Sequence, residues 1–250
     1  HQGFFSLRNK HTGKLASHFI TVANNRVKDL SLIREGNERV LAARLADAKF
    51  FFDEDRKVRL EERAKKLGGV TFHQKLGTMA QKQERVRKLA GFIAEWVPSG
   101  QTEFRHIAER AASLSKADLL TGIVGEFPEL QGIMGGEYAR HDGESTAVAQ
   151  AIREQYLPKA IEGELPETEA GQVLSLADRL DSIAAFFHVG LVPTGSEDPF
   201  ALRRHATAIV RIILEQTLRL NLADVIDRAT NLVAGDGFKG GADSQQVKQQ

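Results

Sequence analysis

Apolar residues recur every three or four positions along most of this chain, while near its start they fall into two short runs. Phe4, Phe5 and Leu7 precede a polar cluster, His11-Thr12-Gly13-Lys14, and Leu15, Phe19, Ile20 and Val22 follow it. Two short apolar segments around a turn-forming cluster predict a β-hairpin. From Gly36-Asn37 onward Val40, Leu41, Leu45 and Ala48 fall at helical spacing, with Asn37 and Glu38 as a polar start. Between Asp53 and Lys66 charges of alternating sign surround Val58, Leu60 and Leu67, the pattern of a solvated helix ended by Gly68-Gly69. Val86, Leu89, Ala90, Ile93 and Val97 predict a further helix closed by Pro98-Ser99-Gly100, and Phe104, Ile107, Ala108, Ala111 and Leu114 the next.

Beyond this point Gly132, Gly135 and Gly136 predict a tight bend rather than a phosphate cradle. Val148, Ala151 and Ile152 lie on a helix running to Tyr156-Leu157-Pro158. Val173, Leu176, Ala177, Leu180, Ile183, Ala184 and Phe187 lie on a buried one. Asp198 before Pro199 is an N-cap carboxylate before a proline suited to the first helical position, so the last long helix is predicted to start there. It carries Leu202, Ile209, Val210, Ile213, Leu214 and Thr217. Residues 235–250, glycine- and glutamine-rich with little to bury, read as a disordered tail or linker.

Composition narrows the class. At 250 residues, with 42% hydrophobic and 27% charged content, the chain has the makeup of a soluble globular protein with one large or two modest cores. No window holds the roughly 20 apolar residues needed to cross a bilayer. No cysteine is present, which removes disulfides, thiolate zinc sites and a cysteine nucleophile, and suits a reducing cytoplasm. Net charge is +1, so any RNA contact must be a local patch. The opening residues carry neither an initiator Met nor a leader pattern, and the chain reads as an interior fragment. There is no G-x-x-x-x-G-K-[ST] loop and no G-x-S-x-G elbow.

A metal centre is the first chemical reading to weigh. Lys82-Gln83-Glu84-Arg85-Val86 resembles the first helix of HD-type phosphohydrolases, H-x-x-R-V, with Lys82 where the first His stands. Ala111 to Lys116 resembles the stretch leading into the family's His-Asp pair and delivers Ser115-Lys116 instead. Ala177-Asp178-Arg179-Leu180-Asp181 resembles the closing A-D-x-L-D element. On this register Lys82, Ser115, Lys116 and Asp178 are degenerate HD positions, and the lone carboxylate Asp178 holds no metal. Lys82 or Lys116 then fills the vacated metal position and neutralises Asp178. The alternative takes His106, His141, Asp142 and Asp178, which occur in HD order, as ligands of an active metal-dependent phosphohydrolase.

Ordered blocks carry a second, more extensive resemblance. They are Gly36-Asn37-Glu38-Arg39-Val40-Leu41 running into Ala43 to Phe51, Phe72 to Gly77, Lys116-Ala117-Asp118-Leu119, and Glu126 to Gly135 (EFPELQGIMG). They continue with Asp142-Gly143-Glu144, Glu154 to Pro158, Leu176 to Asp181, and Pro193 to Arg204 (PTGSEDPFALRR). Together they resemble the beta subunit of bacterial heterotetrameric glycyl-tRNA synthetase over about residues 1–220. Gly122-Ile123 departs from a more usual polar-Met step, and Glu197 from a commoner Lys. The fold implied is mainly α: a β-hairpin and helical lead-in over 1–71, an HD-domain-like helical core over 72–220, and a helix end with tail or linker over 221–250.

The resemblance implies an internal part of a cytoplasmic glycine-tRNA ligase beta subunit, non-catalytic alone. Its partners would be the alpha subunit, which holds the ATP and Mg site, and tRNA-Gly. No cofactor is implied in this part. For RNA contact, Arg204, Thr207, Ala208 and Arg211 share one helix face with Arg203 beside it, and these arginines either meet phosphates or pair with Glu197, Asp198 or Glu215. A second basic group, Lys82, Arg85, Arg87 and Lys88, is either RNA-facing or a solvated helix face.

Overall fold

The computed structural model describes residues 3–24, 29–97, 102–195 and 197–239. The predicted closure at Pro98-Ser99-Gly100, Ser196, and residues 240–250 of the predicted tail lie outside the described residues. The chain divides into two compact units, residues 1–51 and 52–250, and is mainly α.

In the first unit β1 (Phe4–Arg8) and β2 (Leu15–Thr21) form the expected antiparallel hairpin, with Phe4 opposite Thr21 and Phe5 opposite Ile20. Asn9 closes the turn by accepting the His11 and Thr12 N–H groups through its side chain, and Gly13 takes φ 66°, which glycine adopts without strain. Helix α1 (Leu30–Asp55) begins well before Gly36-Asn37. Asp29 explains the earlier start, because its carboxylate accepts the Ser31 N–H and hydroxyl as a helix-start acid does.

The second unit is a helical bundle, and its first residues, 52–71, are those that sequence reading grouped with the lead-in. The charged stretch is not one helix. It breaks into the end of α1, a short α2 (Leu60–Ala64) and a 3₁₀ turn at Leu67–Gly69. A small hairpin, β3 (Thr71–His73) with β4 (Gly77–Thr78), then leads into α3 (Met79–Ala94). Thr78 and Gln81 make a reciprocal capping box at the start of α3. There follow α4 (Thr102–Leu114), α5 (Gly122–Glu126), α6 (Ile133–His141), α7 (Thr146–Glu154), α8 (Glu169–His188), α9 (Leu202–Glu215) and α10 (Leu222–Gly235).

The central element is α8, capped by Thr168, buried along nearly its whole length and packed on α3, α4, α7, α9 and α10. At one end Phe186 stacks on Phe200 and meets Phe72, sealing a cluster with Leu76, Leu202 and Val233. The expectation of a helix end after residue 220 is corrected. Asn221 caps α10, and Val225, Ala229 and Val233, four apart, are buried. The start of α9 also differs, since its first helical residue is Leu202 rather than Pro199. Asp198 still caps it, its carboxylate accepting the N–H groups of Leu202 (2.7 Å) and Arg203 (3.0 Å) around a turn through Pro199 and Phe200.

Candidate functional site

Two features on the inner faces of α3, α8 and α9 have the makings of a site: a buried ionic cluster and a cleft beside it. The cluster is built on α8. Asp178 and Asp181 lie one turn apart, as their spacing requires, and both face α3. Lys82, on α3, places Nζ 3.0 Å from Asp178 Oδ1, 3.2 Å from Asp181 Oδ2 and 2.8 Å from the Ser182 hydroxyl. Lys116 places Nζ 2.9 Å from Asp178 Oδ2 and 4.0 Å from the centre of the Tyr156 ring. Lys82, Lys116 and Asp178 are all buried. Asp178 Oδ1, though close to Lys82, is not aligned for a hydrogen bond.

The backbone contributes to this arrangement. Lys116 has φ 66°, a left-handed conformation uncommon outside glycine and asparagine, immediately before the 3₁₀ turn Ala117–Leu120. Burial works against ionising Asp178, yet Lys116 and then Lys82 hold its carboxyl well below the ordinary range. Burial pushes the Lys116 ammonium down, with Asp178 opposing. Asp178 is therefore held as an ionised carboxylate by the two lysines that flank it.

A divalent cation does not fit these residues. Asp178 Oδ2 accepts from Lys116 and Oδ1 lies 3.0 Å from the Lys82 nitrogen, so both oxygens already face a cationic side chain. Ser115 is buried, and its hydroxyl donates to the Ala112 carbonyl (2.7 Å). The alternative ligands are dispersed to other tasks. His106 is exposed on α4; His141 Nδ1 lies 3.1 Å from an Arg56 guanidinium nitrogen; and Asp142 accepts the Leu60 N–H (2.6 Å), capping α2. No cluster of three or more His, Asp or Glu side chains suited to a metal occurs among the described residues.

Arg85 requires correction. Sequence reading offered it to RNA, but it is buried, with Nε 2.6 Å from Asp181 and Nη1 2.6 Å from Asp236. The periodicity that reads as a solvated basic face is in fact half inside: Lys82 and Arg85 point into the bundle, while Arg87 pairs with Glu84 and Glu109, and Lys88 with Glu84. On α9 the outcome is split. Arg211 pairs with Glu215 (2.7 Å) and donates to the Ile161 and Gly163 carbonyls. Arg203 and Arg204 are exposed and have no carboxylate partner among the described residues.

The cleft, of about 560 Å³, was not foreseen. The sequence's most distinctive segments converge on it: Glu129 and Gln131 of EFPELQG, Tyr156 and Pro158, Arg179 of the ADRLD element, and Arg204, His205 and Arg211 of α9. Arg179 is the residue that sequence reasoning missed. It is buried, donating to the carbonyls of Tyr156 and Pro158 (both 3.0 Å) and to Ser175 Oγ (3.1 Å), with no carboxylate in ion-pair range among the described residues. The available signal was an arginine among the mostly apolar residues Val173 to Leu180, and buried arginines need partners. Burial pushes His205 down to about 4, so it is neutral at physiological pH.

The glycines between these segments allow close approach. Gly132 has φ 78°, and its N–H donates to the buried Asp118 carboxylate (2.7 Å). A Cβ at Gly136 would stand 2.7 Å from the Ala149 carbonyl oxygen, so α6 and α7 pack at a distance only glycine permits.

Comparison with known proteins gives a consistent result. The family model described as glycyl-tRNA synthetase beta subunit matches residues 1–250. The glycine-tRNA ligase beta subunit of Trichlorobacter lovleyi is 51% identical over 235 residues, covering 94% of this chain and 34% of that protein. That of Citrifermentans bemidjiense is 50% identical over 246 residues (98% and 35%), and that of Phenylobacterium zucineum 52% over 223 residues (89% and 33%). The chain spans about a third of the length of these relatives.

Proposed function

The chain belongs to the glycyl-tRNA synthetase beta subunit family, and from that premise we propose that it serves as an architectural and tRNA-contacting part of a glycine-tRNA ligase. In this reading it works in the cytoplasm with an alpha subunit that forms the adenylate from ATP and Mg, and tRNA-Gly is the RNA bound. The helical unit is an HD-like core, about residues 72–220, whose metal chemistry has been replaced by a structural ion cluster. The observation that carries the proposal is Asp178 held between Lys82 and Lys116. Two ammoniums supply the positive charge that a metal would otherwise bring, and they activate no water.

For RNA, support comes from Arg203 and Arg204, exposed side by side near the start of α9, with Lys88 half-exposed on α3. Arg211, engaged by Glu215, contributes less, and Arg85 none. No described helix is long and apolar enough to cross a membrane, so the reading includes no membrane partner.

Two experiments test the reading. The purified chain should catalyse no ATP–pyrophosphate exchange without alpha. In the alpha/beta enzyme, Arg203→Ala with Arg204→Ala should weaken tRNA binding and lower the slope of log affinity against log salt by about one per lost phosphate contact. Unchanged affinity and slope would remove α9 from the RNA interface. Exchange by the chain alone would refute the non-catalytic assignment.

A further inference from the structure

The geometry points to the cleft between α8, α9 and the Glu126–Gly135 segment as a binding site for one phosphate-bearing nucleotide unit, with Arg179 and Arg204 as its phosphate ligands. Charge is the first indication. Lys159, Arg179, Arg204 and Arg211 line the cleft, against a single carboxylate, Glu129. Arg211 is matched by Glu215, and Lys159 donates to the Glu129 carbonyl (3.3 Å). Arg179 and Arg204 are left without a counter-anion among the described residues.

Arg179 is the unusual member. A guanidinium stays protonated when buried, so its charge must be compensated where it stands. Asp178 attracts it from beyond ion-pair distance but is already held by two lysines. Arg179 Nε and Nη2 are fixed by Ser175, Tyr156 and Pro158, and Nη1 has no acceptor among the described residues. Three anchored bonds hold the guanidinium rigid and leave its two Nη1 hydrogens for an anion, at little entropic cost.

Size and wall chemistry select the ligand. A volume of about 560 Å³ lies within the range of small-molecule sites and exceeds what an inorganic anion needs. Pro128, Pro158, Ala201 and Ala208 add apolar lining beside the arginines, suited to a sugar or base edge. Hydrolysis is not expected, because Asp178 and Asp181 on α8 are held by the buried cations Lys82, Arg85 and Lys116. This deepens the RNA reading and rests on it for the source of the nucleotide, an RNA strand.

Isothermal titration of the chain with AMP, adenosine, inorganic phosphate and the trinucleotide ApApA tests the proposal. AMP and ApApA should bind saturably, with adenosine and phosphate each weaker by about tenfold or more. Arg204→Ala should weaken AMP by about tenfold, and Thr207→Trp, at an exposed cleft-lining position, should block the site. Both positions are exposed, so retained thermal stability separates loss of binding from loss of fold. ApApA tighter than AMP assigns the site to a strand, and AMP tighter assigns it to a free nucleotide. Adenosine or phosphate equal to AMP, or AMP binding untouched by both variants, overturns the proposal. If the alpha/beta enzyme binds tRNA while the chain binds none of these probes, the cleft assignment fails and the RNA reading survives. AMP binding without any tRNA binding upholds the cleft and overturns the RNA reading.

Discussion

Replacing Asp178 with Asn keeps the size of the side chain and removes the charge that two buried ammoniums share. Lys82 retains Asp181 at 3.2 Å and the Ser182 hydroxyl at 2.8 Å, so it is only partly orphaned. Lys116 retains no carboxylate within ion-pair distance among the described residues, only the more distant Asp118 and the Tyr156 ring at 4.0 Å. Removing one partner of a buried pair costs about 3–5 kcal/mol, because the remaining charge is left desolvated. For a domain of this size about 2–4 °C is lost per kcal/mol, so Asp178→Asn should lower Tm by about 6–20 °C. Lys116→Met should cost less when combined with Asp178→Asn than in the wild type, with a coupling of about 1–3 kcal/mol. Chemical denaturation of the wild type, both single variants and the double variant supplies the cycle. The pH dependence has a defined sign. Burial opposes ionisation of Asp178, the lysines overcome it, and the folded-state value lies below the unfolded one. The stabilisation is therefore present above the unfolded carboxyl pKa of about 3.9 and is lost as pH falls below it. Asp178→Asn should flatten that acid limb. A loss below about 1 kcal/mol, or additive singles, would refute the reasoning.

Other perturbations test other parts of the account. Gly136→Ala should destabilise by about 1–3 kcal/mol in urea melts, because the new Cβ meets the Ala149 carbonyl at 2.7 Å, whereas Gly125→Ala, with open space around it, should be neutral or mildly stabilising. Asp55→Ala should cost about 3 kcal/mol or more, since its carboxylate accepts the Gly122 and Ile123 N–H groups, the Tyr138 hydroxyl and Arg63; a near-neutral result would discount that junction. His205 is depressed to about 4, chiefly by burial, so the unfolded chain binds the proton first and stability should rise with pH between about 4 and 6.5; His205→Phe should flatten that window.

Elements whose signals are local were legible in the sequence. The apolar stripe of α8 and the hairpin around His11–Lys14 each depend on neighbours within a few residues. Asp178 was legible as a focal residue because the A-D-x-L-D pattern is contiguous. Arg85 was misread because charge alternation on a helix looks the same whether the arginine meets water or a buried carboxylate supplied 96 residues later. Asp55 escaped notice for the same reason, its acceptor role depending on residues 67 and 68 positions away. The cleft is assembled from segments around 128, 156, 179 and 204, and no local pattern announces that they meet. α10 was passed over although Leu222, Val225, Ile226, Ala229, Leu232 and Val233 fall at helical spacing.

The most direct test of the central claim is the metal content of the purified chain, measured by mass spectrometry for manganese, iron and zinc alongside nucleotide hydrolysis. With Lys82 and Lys116 occupying Asp178, the account predicts substoichiometric metal, no hydrolysis, and a Tm indifferent to chelator. One metal per chain, lost together with nucleotide hydrolysis in Asp178→Asn, would contradict it.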